Sequence, residues 1–200
     1  YKSAGKVATY AFGVIEAGRL VAAYIWNPPA PGVALALCPE AVGGVLALTR
    51  MVAVPREERT LNHVSKPLRR QMCHLIDRGR WPVLVTYSDE SQGHTGHVYK
   101  CSGWTPTERK QANAYTSEDG QRISSYSRGG RKAPEVLGKA ETIWLQRWEH
   151  RICPVGGALE HMHAAGWVLE DVPGKTWRSG SPARRWVRRQ QSILSFSEPP

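Results

Sequence analysis

Two stretches of the chain gather residue types that move protons or hold anions. The first runs Tyr87-Ser88-Asp89, then Gly93-His94-Thr95-Gly96-His97-Val98-Tyr99. Asp89, His94, His97 and Tyr99 offer a base, a shuttle and an acid close together. They follow a strand-like run on a glycine-punctuated loop, where catalytic groups often sit. The structural alternative is that Asp89 caps a turn and Tyr99 packs in the core. The second stretch carries Arg56, Arg59, Asn62 and His63, then Ser65 with Arg69 and Arg70. Ser65 and Pro67 read as the start of a helix, with Ser65 as N-cap and Pro67 in the first turn. Free N–H groups there, the helix dipole and bidentate arginines make an anion site. A capped amphipathic helix with a solvated basic face explains the same residues. No GxGxxG and no GxxxxGK[ST] occurs, which excludes a dinucleotide fingerprint and a Walker loop.

Two further groups complete the chemical inventory. His94-x2-His97-x3-Cys101 has ligand-like spacing and His161-x-His163 lies elsewhere, but no matched CxxC knuckle accompanies them, so no metal is assigned. The C-terminal stretch holds Lys175, Arg178, Arg184, Arg185, Arg188 and Arg189 with Trp177 and Trp186 and no acid between 175 and 189. Arginine interleaved with tryptophan suits phosphate contact and base stacking. A second basic stretch contains Arg122, Arg128, Arg131 and Lys132. An exposed edge strand protected by charge is the structural alternative for the tail.

The elements that must position these residues are legible to different degrees. Ala8–Ile15 and Leu20–Trp26 read as a hairpin about a turn at Gly18. Asn27 to Gly32 reads as a stop to regular structure. Val45–Val54 reads as a central strand. Leu68, Met72, Leu75 and Ile76 form one apolar helical face that Gly79 closes. Trp81–Tyr87 reads as a buried strand and His97–Ser102 as a short helix. Residues 105–133 read as loop. Glu135–Arg151 has apolar residues near helical spacing, so 134–165 reads as a helical insertion ending in a second helix at Ala158–Ala165. Trp167–Leu169 and Arg185–Val187 read as late strands. The order predicts a single α+β domain with a mixed, mostly antiparallel sheet.

Composition bounds the partners. The chain has 200 residues, 27 Lys+Arg against 17 Asp+Glu, and a net charge of +10. Eight Trp and seven Tyr exclude a mostly disordered chain. Each half of the chain carries +5, so a basic tail does not explain the charge and polyanions are the natural partners. The longest apolar stretch, 33–48, is broken by Pro39, Glu40 and a glycine pair, so no membrane span is expected. No secretory signal is visible, and the four separated cysteines read as reduced, mostly buried thiols of a cytoplasmic protein.

These motifs together resemble the phage Mom-like DNA modification proteins, divergent members of the GNAT acyltransferase superfamily. The stretch from Tyr87-Ser88-Asp89 through Gly93-His94-Thr95-Gly96 to Tyr99 is similar to that family's SY-D---GH-G--Y pattern. Leu48-Thr49-Arg50-Met51-Val52 followed by Asn62-x-x-Ser65 resembles its RLVV…N--S pattern. Gly166-Trp167, Pro173-Gly174-Lys175 and Arg185-Trp186-Val187 match more loosely an ending that an insertion splits here. The resemblance implies a GNAT-like sheet, an acetyl-CoA or related acyl-CoA cofactor and DNA as partner. It implies cofactor contacts at Arg50, Met51, Val52, Asn62 and Ser65, and catalytic roles at Asp89, His94 and Tyr99. It leaves the metal requirement open. The reaction it implies adds a carbamoylmethyl group to the adenine amino nitrogen, which protects DNA from restriction. Base flipping or single-stranded substrate is then required. Arg128, Arg131, Lys132, Lys175, Arg178, Arg184, Arg185 and Arg188 become expected DNA contacts. Two alternatives stay open: acyl transfer to a small amine, a protein lysine or a hypermodified pyrimidine, and a non-catalytic nucleic-acid-binding domain.

Overall fold

The computed structural model describes residues 8–60, 64–116, 122–123, 139–176 and 182–189. It is a mixed α+β structure that divides into two compact units. A seven-stranded sheet dominates the first unit. Its strands are β1 (Tyr10–Glu16), β2 (Arg19–Asn27), β3 (Val45–Ala53), β4 (Val83–Asp89), β5 (Thr105–Thr116), β6 (Arg122–Ile123) and β7 (Lys139–Arg151), in the order β1-β2-β3-β4-β7-β5-β6. The pairs β1–β2, β2–β3, β5–β6 and β5–β7 are antiparallel. The predicted sheet class is therefore observed.

The hairpin forms because Ala17 and Gly18 both take positive φ, 47° and 79°, the geometry of the tight turns that match strand twist. Helices α1 (Pro31–Leu37) and α2 (Ser65–Ile76) follow, and α2 links the neighbouring strands β3 and β4. Leu68, Met72 and Leu75 on its apolar face are fully buried. Within the first unit, Trp26 Nε1 donates to Gln71 Oε1 at 3.1 Å, so the indole has its polar partner inside the core. Trp26 stacks on Trp104, with ring centroids 6.2 Å apart.

Tyr24 is wholly buried and donates its hydroxyl to Val64 O at 2.9 Å. Burial pushes its phenol pKa from 10.0 up to about 12, and the nearby Arg59 charge pulls weakly the other way. A raised folded-state pKa means that the stabilisation is complete below pH 10 and is lost as pH climbs from 10 toward 12. Urea unfolding across that window will show falling stability in the wild type. Tyr24→Phe will flatten part of this fall, because the residue that must ionise is gone. An equally steep fall in the variant would show that other groups govern the alkaline limb.

The second unit holds α1, α4 (Ala158–Ala164) and a separate two-stranded antiparallel sheet of β8 (Trp167–Thr176) and β9 (Pro182–Arg188). Leu37, Cys38, Trp81 and Met162 are buried there. Among the described residues no helix is long and apolar enough to cross a membrane.

Five readings need correction. Residues 139–151 form strand β7 and not a helix within an insertion at 134–165. Their apolar positions mimic helical spacing, but the run pairs with β5 along most of its length, and that long-range ladder decides the outcome. Residues 105–116 form β5, so that part of the expected loop is strand. Pro31 does not stop structure but opens α1 as its first helical residue. The late strands lie in their own small sheet. Only Cys38 of the four thiols is buried, while Cys73 and Cys101 are exposed.

Candidate functional site

In the first unit, a cavity of about 450 Å³ opens where β3 and β4 meet the loop leading into α3 (His97–Cys101). Leu48, Thr49, Arg50 and Met51 of β3 line one side and Thr86 and Tyr87 of β4 another, with residues 93–99 closing it. Pairing of β2 with β3 slips at this point: Ile25 faces Arg50 while Trp26 faces Leu48, which leaves Thr49 as an extra residue. A bulge of this kind bends the strand and frees backbone groups from the ladder. Thr49 is tied down by its hydroxyl, which donates to Ile25 O at 3.1 Å. The Thr86 hydroxyl donates to Leu48 O at 3.0 Å and so joins β4 to β3 at the cavity floor.

The loop that carries His94 is shaped by two left-handed glycines, Gly93 (φ 69°) and Gly96 (φ 70°). Gly96 packs against Trp148, where a Cβ would stand 2.0 Å from Cζ2 of the indole. Trp148 is itself held by Nε1 donating to Ser88 Oγ at 2.9 Å. Tyr99 is 9% exposed and packs against Trp104 and Trp148. Burial pushes its phenol pKa up, and a hydrogen bond with Thr86 partly opposes the shift. The hydroxyl therefore stays protonated at neutral pH.

The structure brings Arg50, Met51, His94 and Tyr99 together around this cavity. Asp89 does not line it. Its carboxylate caps the short turn after β4, accepting from Ser91 N at 3.0 Å and Ser91 Oγ at 2.6 Å. Val52 is exposed beside Ala23 and also lies outside the lining. Ser65 is the first residue of α2 rather than its cap, and its carbonyl accepts from Ser102 Oγ at 3.1 Å. Arg69 donates to Ser102 O at 3.1 Å, a bond that fastens α2 to the end of α3. Asn62 lies outside the described residues. From the sequence, Thr86 and Tyr87 carry no assigned role, and Trp148 reads only as one position of a helical stripe over 135–151. The unbroken run of Thr86-Tyr87 into the motif was the available signal for the first two.

Among the described residues no group of three or more His, Cys, Asp or Glu side chains comes together as a metal site. His97 and Cys101 do approach, Nε2 to Sγ at 3.3 Å.

In the second unit the basic strand is partly neutralised. Arg184 pairs with Asp171 at 3.0 Å and Arg189 with Glu170 at 3.8 Å, because β8 lays its acids opposite β9. Trp186 is engaged within the unit, with the Arg80 guanidinium 5.3 Å from its ring and His163 6.2 Å away. Arg185 and Arg188 are exposed. Lys175 falls in β8, while Arg128, Arg131, Lys132 and Arg178 lie outside the described residues.

A family model described as the Mom protein family matches residues 1–157. No curated protein matches the chain significantly. Among solved structures the chain is similar to a ribosomal-protein-alanine N-acetyltransferase from Brucella melitensis, at 13% identity and a TM-score of 0.44, covering 71% of this chain and 68% of that one. It is also similar to an N-acetyltransferase from Staphylococcus aureus Mu50, at 12% identity and a TM-score of 0.45, with 72% and 67% covered. For the ribosomal-protein-S18-alanine N-acetyltransferase from Escherichia coli the identity is 17%, the TM-score 0.39 and the coverage 74% and 71%.

Proposed function

The chain belongs to the Mom protein family, and on that premise we propose that it is a GNAT-like transferase that modifies the adenine amino group in DNA. The donor in this reading is acetyl-CoA or a related acyl-CoA. The observation that carries it is the cavity between β3 and β4, where a bulged strand, an arginine and a buried phenol converge. The residues present fit such a cofactor. The bulge at Thr49 leaves main-chain groups outside the ladder, and Arg50 adds positive charge beside them. Arg50 and Met51 would hold the group. When bound, it supplies an activated acyl thioester.

The chain's own residues divide the remaining work. Tyr99 holds a proton at its hydroxyl, kept there by burial. His94 is exposed at the cavity rim, where a neutral imidazole accepts a proton from an incoming amine. Asp89 acts at one remove, since it fixes the turn from which the His94 loop departs. Exposed Arg185 and Arg188 are proposed phosphate contacts, and Lys175, Arg178, Arg128, Arg131 and Lys132 are proposed from their charge in the sequence. Arg184 contributes less in this reading because Asp171 already holds it.

Nucleoside mass spectrometry of DNA from cells expressing the protein tests the proposal. An adenine adduct absent from control cells is the expected result. Unmodified nucleosides throughout would refute it.

A further inference from the structure

Tyr99 stands on α3 and His94 on the loop before it, and one buried side chain of β7 meets both segments. The Trp148 indole packs against the Tyr99 ring, with centroids 5.8 Å apart and the planes 46° apart. One edge of the same indole lies under the loop at Gly96. A Cβ there would stand 2.0 Å from Cζ2, 2.5 Å from Cε2 and 2.8 Å from Nε1. Gly96 has no Cβ, so the backbone of the loop rests directly on that edge.

Filling the space under the loop needs only an apolar ring. An indole brings an N–H as well, which is costly when buried unless it is bonded. Nε1 donates to Ser88 Oγ at 2.9 Å, and Ser88 is itself buried on β4, the strand next to β7 in the sheet. The bond also settles the ring's orientation. The outer torsion of an aromatic side chain has broad wells, and a directional bond at the rim selects one setting. The edge that bonds Ser88 is the edge that carries Gly96. Turning the ring out of the bond therefore moves the atoms on which the loop rests. Neither Ser88 nor Trp148 lines the cavity, so neither is placed to touch a bound molecule there.

We propose that Ser88 and Trp148 act together as positioning residues, a polar tie in the core that fixes the His94 loop and the Tyr99 ring relative to each other. The kinetic consequence of the tie rests on the function proposed above, and the positional one does not. Proton transfer at two groups requires both within hydrogen-bond reach of the reacting atoms, and small misplacements slow the chemical step. Arg50 and Met51, which would hold the cofactor, belong to β3 instead. Loss of the tie should then act on kcat and leave KM in place.

Two readouts on the full chain test the tie. The first is amide hydrogen exchange in Ser88→Ala, which removes the acceptor and keeps the indole. The amides of Tyr99 and Lys100 both bond Gly96 O, at 2.9 and 3.1 Å, and are expected to exchange about tenfold faster. Those of the β1–β2 hairpin should keep their wild-type rates. Unchanged exchange at Tyr99 and Lys100 overturns the inference. An equal rise in the hairpin marks a general loss of stability and overturns it too. The second readout is steady-state adduct formation on a single-stranded oligonucleotide carrying one adenine. Ser88→Ala and Trp148→Phe should each lower kcat about tenfold or more while KM for the oligonucleotide stays within about twofold. The double variant should be no slower than the slower single, because the two residues act as a unit. Losses that multiply, or that fall on KM alone, overturn the inference. If Trp148→Phe does not fold, Ser88→Ala decides by its exchange and its kcat. If the wild type forms no adduct, the proposed function falls, and the exchange rates still decide whether the tie positions the loop.

Discussion

Gly96→Ala is expected to destabilise the first unit by about 2–5 kcal/mol, read as a lower urea midpoint at unchanged slope. The figure combines roughly 1–2 kcal/mol for a side chain held in left-handed backbone with roughly 1–3 kcal/mol for overpacking. The second contribution is unavoidable here. The new methyl meets the Trp148 indole at 2.0 Å, and Trp148 is buried and bonded to Ser88, so neither partner has room to yield. Gly93→Ala is the internal control. It has nearly the same φ but open space where the methyl would go, so it should cost only the conformational part, about 1–2 kcal/mol. Equal losses in the two variants would mean that Trp148 does not clamp the loop.

Tyr99→Phe is expected to lower adduct formation at least a hundredfold, within the roughly 10²–10⁴-fold range of a lost proton donor, while the melting temperature moves only slightly. The phenyl ring keeps the contacts with Trp104 and Trp148 and loses only the hydroxyl. Because burial raises the phenol pKa, wild-type activity that depends on the protonated form should persist on the alkaline side past the ordinary tyrosine range. Full activity in the variant would remove Tyr99 from the reaction.

Local chemistry makes part of this legible in the sequence. The hairpin turn, the apolar face of α2 and the buried run of β4 each rest on residues within one element, where periodicity and glycine placement suffice. Strands β5 and β7 are different. Ile143, Trp144, Arg147 and Trp148 have the spacing of a helical stripe. What makes them a strand is a partner more than thirty residues upstream, as when Thr105 faces Glu149. The site divides along the same line. Arg50, Met51, His94 and Tyr99 meet at the cavity, and all lie in two contiguous motifs. Asp89 was readable as a base by residue type, yet its carboxylate is occupied by Ser91, a contact two residues away that the Asp-Glu-Ser run also allowed. The role of Trp148 at the site is not legible, because its tie to Ser88 spans 60 residues. The slip at Thr49 was equally hidden, since register belongs to a pair of strands and not to either alone.

The path of the loop from Gly93 to Gly96 is drawn by backbone at both ends, with Trp148 pressing on one of them. His94 and Thr95 between them are exposed side chains that the loop does not use to hold its shape. Form and reactivity are therefore uncoupled at this spot. Substitution at 95 can alter what the cavity mouth presents while the scaffold around it and the neighbouring His94 stay put, so the site is open to new specificities by single changes that leave folding untouched.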